Sequence, residues 1–164
     1  MRRPPHERYG SKYLVPSFKF GGGKLMFWGS VSWSGVGIIH LVEESLTGAR
    51  YGDLLEEVIP DTLANLNMGH PFLLEDNAPA HASKIVNKVK NALGLRRLEK
   101  YPSNSPDLNP IEHVWFYLKD KVRERKPQSL EELEIIVYQE WENISLNFIR
   151  DCIGSMPPKN YCRD

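Results

Sequence analysis

Two carboxylates, Asp76 and Glu112, occupy positions from which acidic side chains could meet at one site. Asp76 lies in the apolar run HPFLLEDN, which predicts a buried strand, and α/β folds place catalytic groups at the carboxyl ends of such strands. Glu112 belongs to the stretch SPDLNPIEHVW, where Asn-Pro predicts the start of a helix. Oxygen ligands from two elements suit Mg²⁺ or Mn²⁺, and two such ions can promote phosphoryl transfer. The sequence therefore predicts a divalent-metal site that contains Asp76 and Glu112.

Both carboxylates also have a purely structural explanation. Asn109, Pro110 and Glu112 are the residue types expected at the N-cap, N1 and N3 positions of a helix, so Glu112 could serve only to close the helix end. Asp76 could form an Asx turn at the end of its strand. Spacing alone does not decide between the structural and the catalytic explanation.

The elements that must position these residues follow from hydrophobic periodicity. A β-hairpin is predicted over residues 24–42, with Gly29 at a bulge or a close contact. Apolar residues at helical spacing over 51–66 predict a helix that opens at Thr47, and Pro60 predicts a kink or two helical pieces. Further helices are predicted at about 82–93, 110–125 and 145–152 and from Ser129, whose capping box includes Glu132, with a short strand within 95–102. The order β-β-α-β-α-β-α-α-α predicts an α/β fold.

The composition indicates one soluble domain whose net charge does not point to nucleic-acid binding. The chain has 164 residues, with 41% hydrophobic and 26% charged residues, which is enough for one full core. Its formal net charge is zero, so nucleic-acid binding would have to come from local patches. Two local basic clusters are candidates for such patches, although a plain solvated face explains them equally well: Lys84, Lys88 and Lys90, and Lys119, Lys121, Arg123, Arg125 and Lys126.

Cysteine usage and the absence of targeting signals predict an intracellular chain. Cys152 and Cys162 have no partner at zinc-like spacing, which indicates two free thiols in a reducing compartment. The basic N-terminus has no apolar core behind it and is not a secretory signal. No apolar run approaches the roughly 20 residues needed to span a bilayer, so no membrane association is predicted.

Three segments together resemble the catalytic domain of Tc/mariner-type DDE transposases. These are LVPSFKFGGGKLMFWGSVSWSGVG, FLLEDNAPAHAS and YPSNSPDLNPIEHVWFYLK, in that order, and the resemblance runs from about residue 2 to residue 143. In that family the motif that resembles FLLEDNAPAHAS carries the second catalytic Asp, and the motif that resembles SPDLNPIEHVW carries the terminal acid. Thirty-five residues, 77 to 111, separate Asp76 from Glu112, which is close to the family spacing.

The resemblance implies a fold, a reaction and a set of site residues. The fold would be ribonuclease-H-like, a mixed sheet flanked by helices. Asp76 and Glu112 would be the second and third catalytic acids, with Mg²⁺ or Mn²⁺ as cofactor. Asn77 and His81 match motif positions beside the metal, although His81 could equally pack and hydrogen-bond locally. Glu75 should point away from Asp76 by strand alternation, and it is a weaker ligand candidate, as is Asp107, which fits the turn.

The resemblance also implies partners and a location. The reaction would be DNA cleavage at transposon ends followed by strand transfer into target DNA. The partners would be these DNAs, with a homodimer assembled on them, and the location would be the nucleus if the source is eukaryotic. Two alternatives remain open: a catalytically inactive remnant that serves as a DNA- or protein-binding module or has no function, and a different two-metal nuclease of the same fold.

One part of the family pattern is not found in this sequence. The first catalytic Asp of the family lies on a central first strand, and residues 1–23 contain no strand-plus-Asp pattern. We therefore expect an extended N-terminal segment over 1–23, a partial catalytic domain over 24–156 without its first central strand, and a tail over 157–164. We expect this chain alone to bind metal weakly, not to cleave DNA, and to be marginally folded unless residues 13–20 or a partner fill the vacant strand position.

Overall fold

The computed structural model describes residues 16–43, 45–75, 78–97 and 109–155. The strands are β1 (Ser17–Phe20), β2 (Gly23–Ser32), β3 (Gly35–Val42), β4 (Phe72–Leu73) and β5 (Arg96–Arg97). The helices are α1 (Gly48–Asn65), α2 (Lys84–Ala92), α3 (Pro110–Arg125), α4 (Leu130–Glu142) and α5 (Leu146–Gly154). Strands β1, β2 and β3 form an antiparallel sheet in that order, and β4 pairs with β5 in parallel. Within the described part of the chain, no helix is both long and apolar enough to cross a membrane.

Alternate side chains of β2 enter two separate hydrophobic cores. Leu25, Phe27 and Val31 pack into a core with α3, α4 and α5. Met26 and Trp28 pack into a core with α1 and α2. Because successive strand residues point to opposite faces, one strand can build both cores. The three-stranded sheet is therefore covered by helices on both faces, as the sequence predicts for an α/β fold.

A bulge interrupts the predicted hairpin next to Gly29. Gly29 pairs with Ile39, whereas Val31 pairs with Val36, so β3 uses one residue more than β2 over this interval. A Cβ atom at Gly29 would lie 2.9 Å from the ring atoms of two tryptophans on α3 and α4. The close contact predicted at Gly29 is therefore confirmed, and a bulge lies beside Gly29 with its extra residue on β3.

The helix starts agree with the predicted caps, with differences in detail. Thr47 caps α1, because its side chain accepts a hydrogen bond from the Arg50 amide at 3.3 Å. α2 begins at Lys84 because Ser83 is its cap. Helix α4 has half of the predicted capping box: the Ser129 hydroxyl accepts from the Glu132 amide at 3.0 Å, but the Glu132 carboxylate accepts from the Gln128 amide at 2.6 Å. All five described helices begin at a residue whose side chain accepts a backbone N–H: Thr47, Ser83, Asn109, Ser129 and Ser145.

Helix α1 continues through Pro60, so the predicted alternative of two helical pieces is wrong. A proline removes one N–H from the helix, and the group left without its partner is the carbonyl four residues earlier, at Glu56. Glu56 and Pro60 both lie on the exposed face of α1. Water can therefore satisfy this carbonyl, while the buried face keeps its packing on the sheet.

Strand β1 is an element that the sequence did not predict, since it lies in the segment expected to be extended or loop-like. It pairs with β2 along the edge opposite β3, and Phe18 is buried. The C-terminal half of the predicted filler segment 13–20 thus extends the sheet, and the rest of that segment lies outside the described residues. Among the described residues no backbone ladder joins the β1-β2-β3 sheet to the β4-β5 pair. The predicted domain boundaries stay predictions.

Candidate active site

Glu112 occupies the first turn of α3, where it was predicted. The Asn109 side chain accepts a hydrogen bond from the Ile111 amide at 3.3 Å, and Pro110 is the first helical residue. The Glu112 amide donates to the Asn109 carbonyl at 3.1 Å. Glu112 itself is exposed. Asn109 therefore caps this helix with its own side chain, and the Glu112 carboxylate is presented at the surface.

Lys119 lies two turns after Glu112 on the same helix and is electrostatically linked to it. Burial lowers the pKa of the Lys119 ammonium below its ordinary value, the Glu112 carboxylate acts in the opposite direction, and Arg123 lowers the pKa further. The ammonium also lies 6.0 Å from the ring centre of Phe18 on β1. A cation and the candidate metal-binding carboxylate therefore share one face of α3.

A buried polar cluster forms around Glu75, at the end of the short segment that follows β4. One carboxylate oxygen of Glu75 pairs with the Lys90 ammonium, and the other accepts a hydrogen bond from the Tyr51 hydroxyl at 2.8 Å. Lys90 is fully buried on α2, and Tyr51 is 2% exposed on α1. Glu75 thus points into the core between α1 and α2. That it points away from Asp76 stays a prediction, because Asp76 lies outside the described residues.

His81 lies in the same cluster. Its ring packs on Tyr51 with 4.3 Å between ring centres, and its Nδ1 atom is 3.8 Å from the Glu75 carboxylate. The His81 carbonyl accepts a hydrogen bond from the Lys90 ammonium at 3.0 Å. His81 is 8% exposed. Of the two explanations offered for His81, this geometry favours local packing and hydrogen bonding over direct contact with DNA.

Fewer cations of the two basic clusters are available for nucleic-acid binding than the sequence suggests. Lys90 does not belong to a surface patch, because it is buried and paired with Glu75, whereas Lys84 and Lys88 are exposed. In the second cluster three cations are paired with neighbouring carboxylates: Lys121 with Glu124 at 2.9 Å, Arg123 with Asp120 at 2.7 Å, and Arg125 with Glu140 at 2.6 Å. These pairs favour the solvated-face explanation for the end of α3.

The remaining predicted site residues, Asp76 and Asn77, lie outside the described residues, and so does Asp107. The meeting of Asp76 with Glu112 therefore stays a prediction. Within the described ranges, no group of three or more His, Cys, Asp or Glu side chains is arranged to hold a metal ion. The structure instead brings Glu75 and His81 together with Lys90 and Tyr51.

The pairing of Lys90 with Glu75 was not predicted, although the sequence contains a signal for it. Val86, Lys90 and Leu93 are spaced four and three residues apart, so Lys90 lies on the buried stripe of α2. A lysine at such a position needs a buried counter-charge, and Glu75 is an acid at the end of an apolar segment. The position of Lys90 on the buried stripe of α2 therefore favours a pair with a buried acid such as Glu75.

The sequence profile of the DDE superfamily endonuclease family matches residues 21–134, a span that includes Asp76 and Glu112. The chain belongs to this family. It is similar to the Tcb1 transposable-element transposase of Caenorhabditis briggsae, with 32% identity over 160 residues. This match covers 96% of the chain but only 57% of the Tcb1 transposase, so the chain spans little more than half of that relative. The predicted resemblance to Tc/mariner-type transposases is confirmed.

Solved structures of the Mos1 transposase share the fold. The Mos1 catalytic domain with Raltegravir and Mg has a TM-score of 0.76 and 22% identity, and the match covers 87% of this chain and 75% of that chain. The Mos1 paired-end complex with the left transposon end has a TM-score of 0.69 and 20% identity, over 96% of this chain and 46% of that chain. The predicted ribonuclease-H-like α/β fold class is confirmed by this likeness.

Proposed function

We propose that the chain is the catalytic part of a DNA transposase that cleaves transposon ends and transfers the strand into target DNA with a divalent metal. The observation that carries this proposal is the position of Glu112, an exposed carboxylate fixed in the first turn of α3 within the residues matched by the endonuclease family. The transposases it resembles support the reaction, and the Mos1 catalytic domain with Mg supports the cofactor.

The donor set fits Mg²⁺ or Mn²⁺. Asp76 and Glu112 offer carboxylate oxygens, which hard cations prefer, and Glu112 is accessible to solvent. Glu75 is unsuitable as a ligand, because its two oxygens already bind Lys90 and Tyr51. When bound, the ion would activate the attacking oxygen and stabilise charge on the leaving oxygen.

The residues of the chain have distinct roles in this proposal. Asp76 and Glu112 hold the metal, and the Asn109 cap keeps the Glu112 carboxylate at the helix end. His81 supports the site through Glu75 and Tyr51 rather than through DNA contact. Asn77 supports Asp76 as its immediate neighbour in the motif. DNA is the proposed partner and a homodimer the proposed assembly, in line with the paired-end complex of Mos1, and nuclear location in a eukaryotic cell stays a prediction.

Metal binding by the 164-residue chain tests the two proposed ligands. We expect Mn²⁺ to bind the chain. Binding is measured by electron paramagnetic resonance, as the loss of the signal of free Mn²⁺. The affinity should fall about tenfold or more in Asp76→Asn and in Glu112→Gln, because each change removes a charged oxygen ligand.

The controls make the same chemical changes elsewhere. Asp61→Asn alters an exposed carboxylate on α1, and Glu124→Gln alters one at the far end of α3. Both should leave the Mn²⁺ affinity unchanged. Equal affinity in Asp76→Asn, Glu112→Gln and the unaltered chain would refute the proposed ligand set.

A further inference from the structure

Glu75, the residue immediately before Asp76, forms an ion pair with Lys90 that is largely buried between two helices. Lys90 of α2 has no exposed surface, and its ammonium contacts both the Glu75 carboxylate and the His81 carbonyl. The Tyr51 hydroxyl of α1 donates to the second oxygen of Glu75 at 2.8 Å. Groups from α1 and α2 therefore converge on one carboxylate of the segment that follows β4.

Stability alone is a weak explanation for this ion pair. Removing two charges from water is costly, and a buried ion pair can often be replaced by apolar residues of similar volume without loss of stability. Position 90 lies on the apolar stripe of α2, where a methionine would fill the same space without a charge. The pair instead supplies a directional contact, because a salt bridge with hydrogen bonds fixes where Glu75 must lie.

Within the described residues, the last backbone pairing before Asp76 lies in β4. Strand β4 contains two residues, and its described pairing with β5 consists of Phe72 with Arg96 and Leu73 with Arg97. The contacts of Glu75 with Lys90 and Tyr51 lie two residues further on, directly before Asp76.

We propose that Lys90, Glu75 and Tyr51 are positioning residues: by holding the Glu75 carboxylate they fix the backbone that leads directly into the proposed metal ligand Asp76. This inference rests on the proposed function, in which Asp76 binds the metal. Consecutive Cα atoms are about 3.8 Å apart. Anchoring Glu75 between α1 and α2 therefore restricts where the chain can continue after Glu75.

The test measures the Mn²⁺ affinity of the 164-residue chain in three variants: Lys90→Met, the double variant Glu75→Leu/Lys90→Met, and Tyr51→Phe. We expect about a tenfold or greater loss of affinity in the first two, as is usual when residues that support a metal ligand are changed. Tyr51→Phe should lose affinity by a few-fold, because it removes one of the two anchors of Glu75. The matched control is Lys88→Met, the same change at an exposed position of α2, which should keep the native affinity.

The double variant separates positioning from a merely structural role. It removes both charges together, so it leaves no unpaired buried charge and should unfold cooperatively in urea. If the pair were only structural, the folded double variant would bind Mn²⁺ as the unaltered chain does, and that result would overturn the proposal. Tyr51→Phe keeps the buried ring. If Lys90→Met fails to fold, the Mn²⁺ affinity of Tyr51→Phe tests the proposal in its place.

Asp76→Asn distinguishes the failure of this inference from the failure of the proposed function. If Asp76→Asn keeps the native Mn²⁺ affinity, Asp76 is not a ligand and both proposals fall. If Asp76→Asn weakens binding while the double variant and Tyr51→Phe do not, only the positioning proposal falls. Loss of affinity in all three, with Lys88→Met unchanged, supports both.

Discussion

The indole N–H of Trp141 donates a hydrogen bond to the carbonyl of Gly37 at 2.9 Å, across 104 residues of sequence. Gly37 lies in the bulged part of β3, where the ladder with β2 is interrupted. On the same bulge, the Ile38 amide donates to the Thr62 hydroxyl of α1 at 3.2 Å. Side chains of α4 and α1 thus supply hydrogen bonds that the strand ladder does not, and they fix both helices against the hairpin.

Trp141→Phe should destabilise the chain through this bulge. The variant leaves the buried Gly37 carbonyl without its indole partner, and an unsatisfied buried acceptor costs about 1–3 kcal/mol in the free energy of unfolding. The smaller ring adds a cavity to the loss. Urea unfolding measures the change, with Trp33→Phe as the control, because Trp33 is 56% exposed. Equal unfolding free energies for the two variants would show that the Trp141 hydrogen bond is unimportant.

Gly29→Ala should destabilise the core that the sheet forms with α3, α4 and α5. The added Cβ would lie 2.9 Å from ring atoms of Trp115 and of Trp141, which are buried and stacked with 5.1 Å between ring centres. These rigid rings cannot move aside freely, so overpacking should cost about 1–3 kcal/mol in unfolding free energy. Gly154→Ala is the control, since nothing lies within 4 Å of its new methyl group and alanine favours the helix. A Gly29→Ala variant as stable as Gly154→Ala would contradict the close contact.

Much of the fold could be predicted because its signals are local. The alternation of β2, the glycine at the bulge and the side-chain caps each depend on a few neighbouring residues, and the hairpin over 24–42 and the helix starts agree with them. Strand β1 escaped prediction because the surrounding segment, residues 1–23, is rich in Pro, Gly and basic side chains, whereas the pairing with β2 and the burial of Phe18 are tertiary contacts. Such pairing depends on contacts in the folded sheet and not on the residues of the segment alone.

The candidate site was predictable in part for the same reason. The cap at Asn109 and the exposed Glu112 follow from local helix chemistry, and the structure agrees. Lys90 was assigned to a surface patch because a lysine is ordinarily exposed, and that was wrong because Glu75, fifteen residues earlier, supplies a buried counter-charge. Whether Asp76 meets Glu112 depends on tertiary structure alone, so periodicity could not establish it, and it stays a prediction.

The Cys152 thiol should react slowly in the folded chain. Burial raises the pKa of this thiol above its ordinary value, and the nearby Asp151 carboxylate raises it further. At about pH 8 the folded chain therefore has less of the reactive thiolate than an unfolded chain, and Cys152 is also 8% exposed. Iodoacetamide should modify Cys152 about tenfold or more slowly in buffer than in urea, measured by mass spectrometry in a Cys162→Ser background. Equal rates in the two solvents would contradict the burial of Cys152.

Removing the Asn109 cap should affect metal binding as well as stability. In Asn109→Ala the Ile111 amide loses its acceptor, so the first turn of α3, with Glu112, should fray at a cost of about 0.5–2 kcal/mol. Ser129→Ala is the matched control, because it removes the corresponding cap of α4 far from Glu112 in the sequence and should cost a similar amount. If the cap fixes a metal-binding carboxylate, Mn²⁺ affinity should fall several-fold in Asn109→Ala and stay unchanged in Ser129→Ala. Parallel effects of the two variants on affinity would mean that Asn109 contributes only general stability.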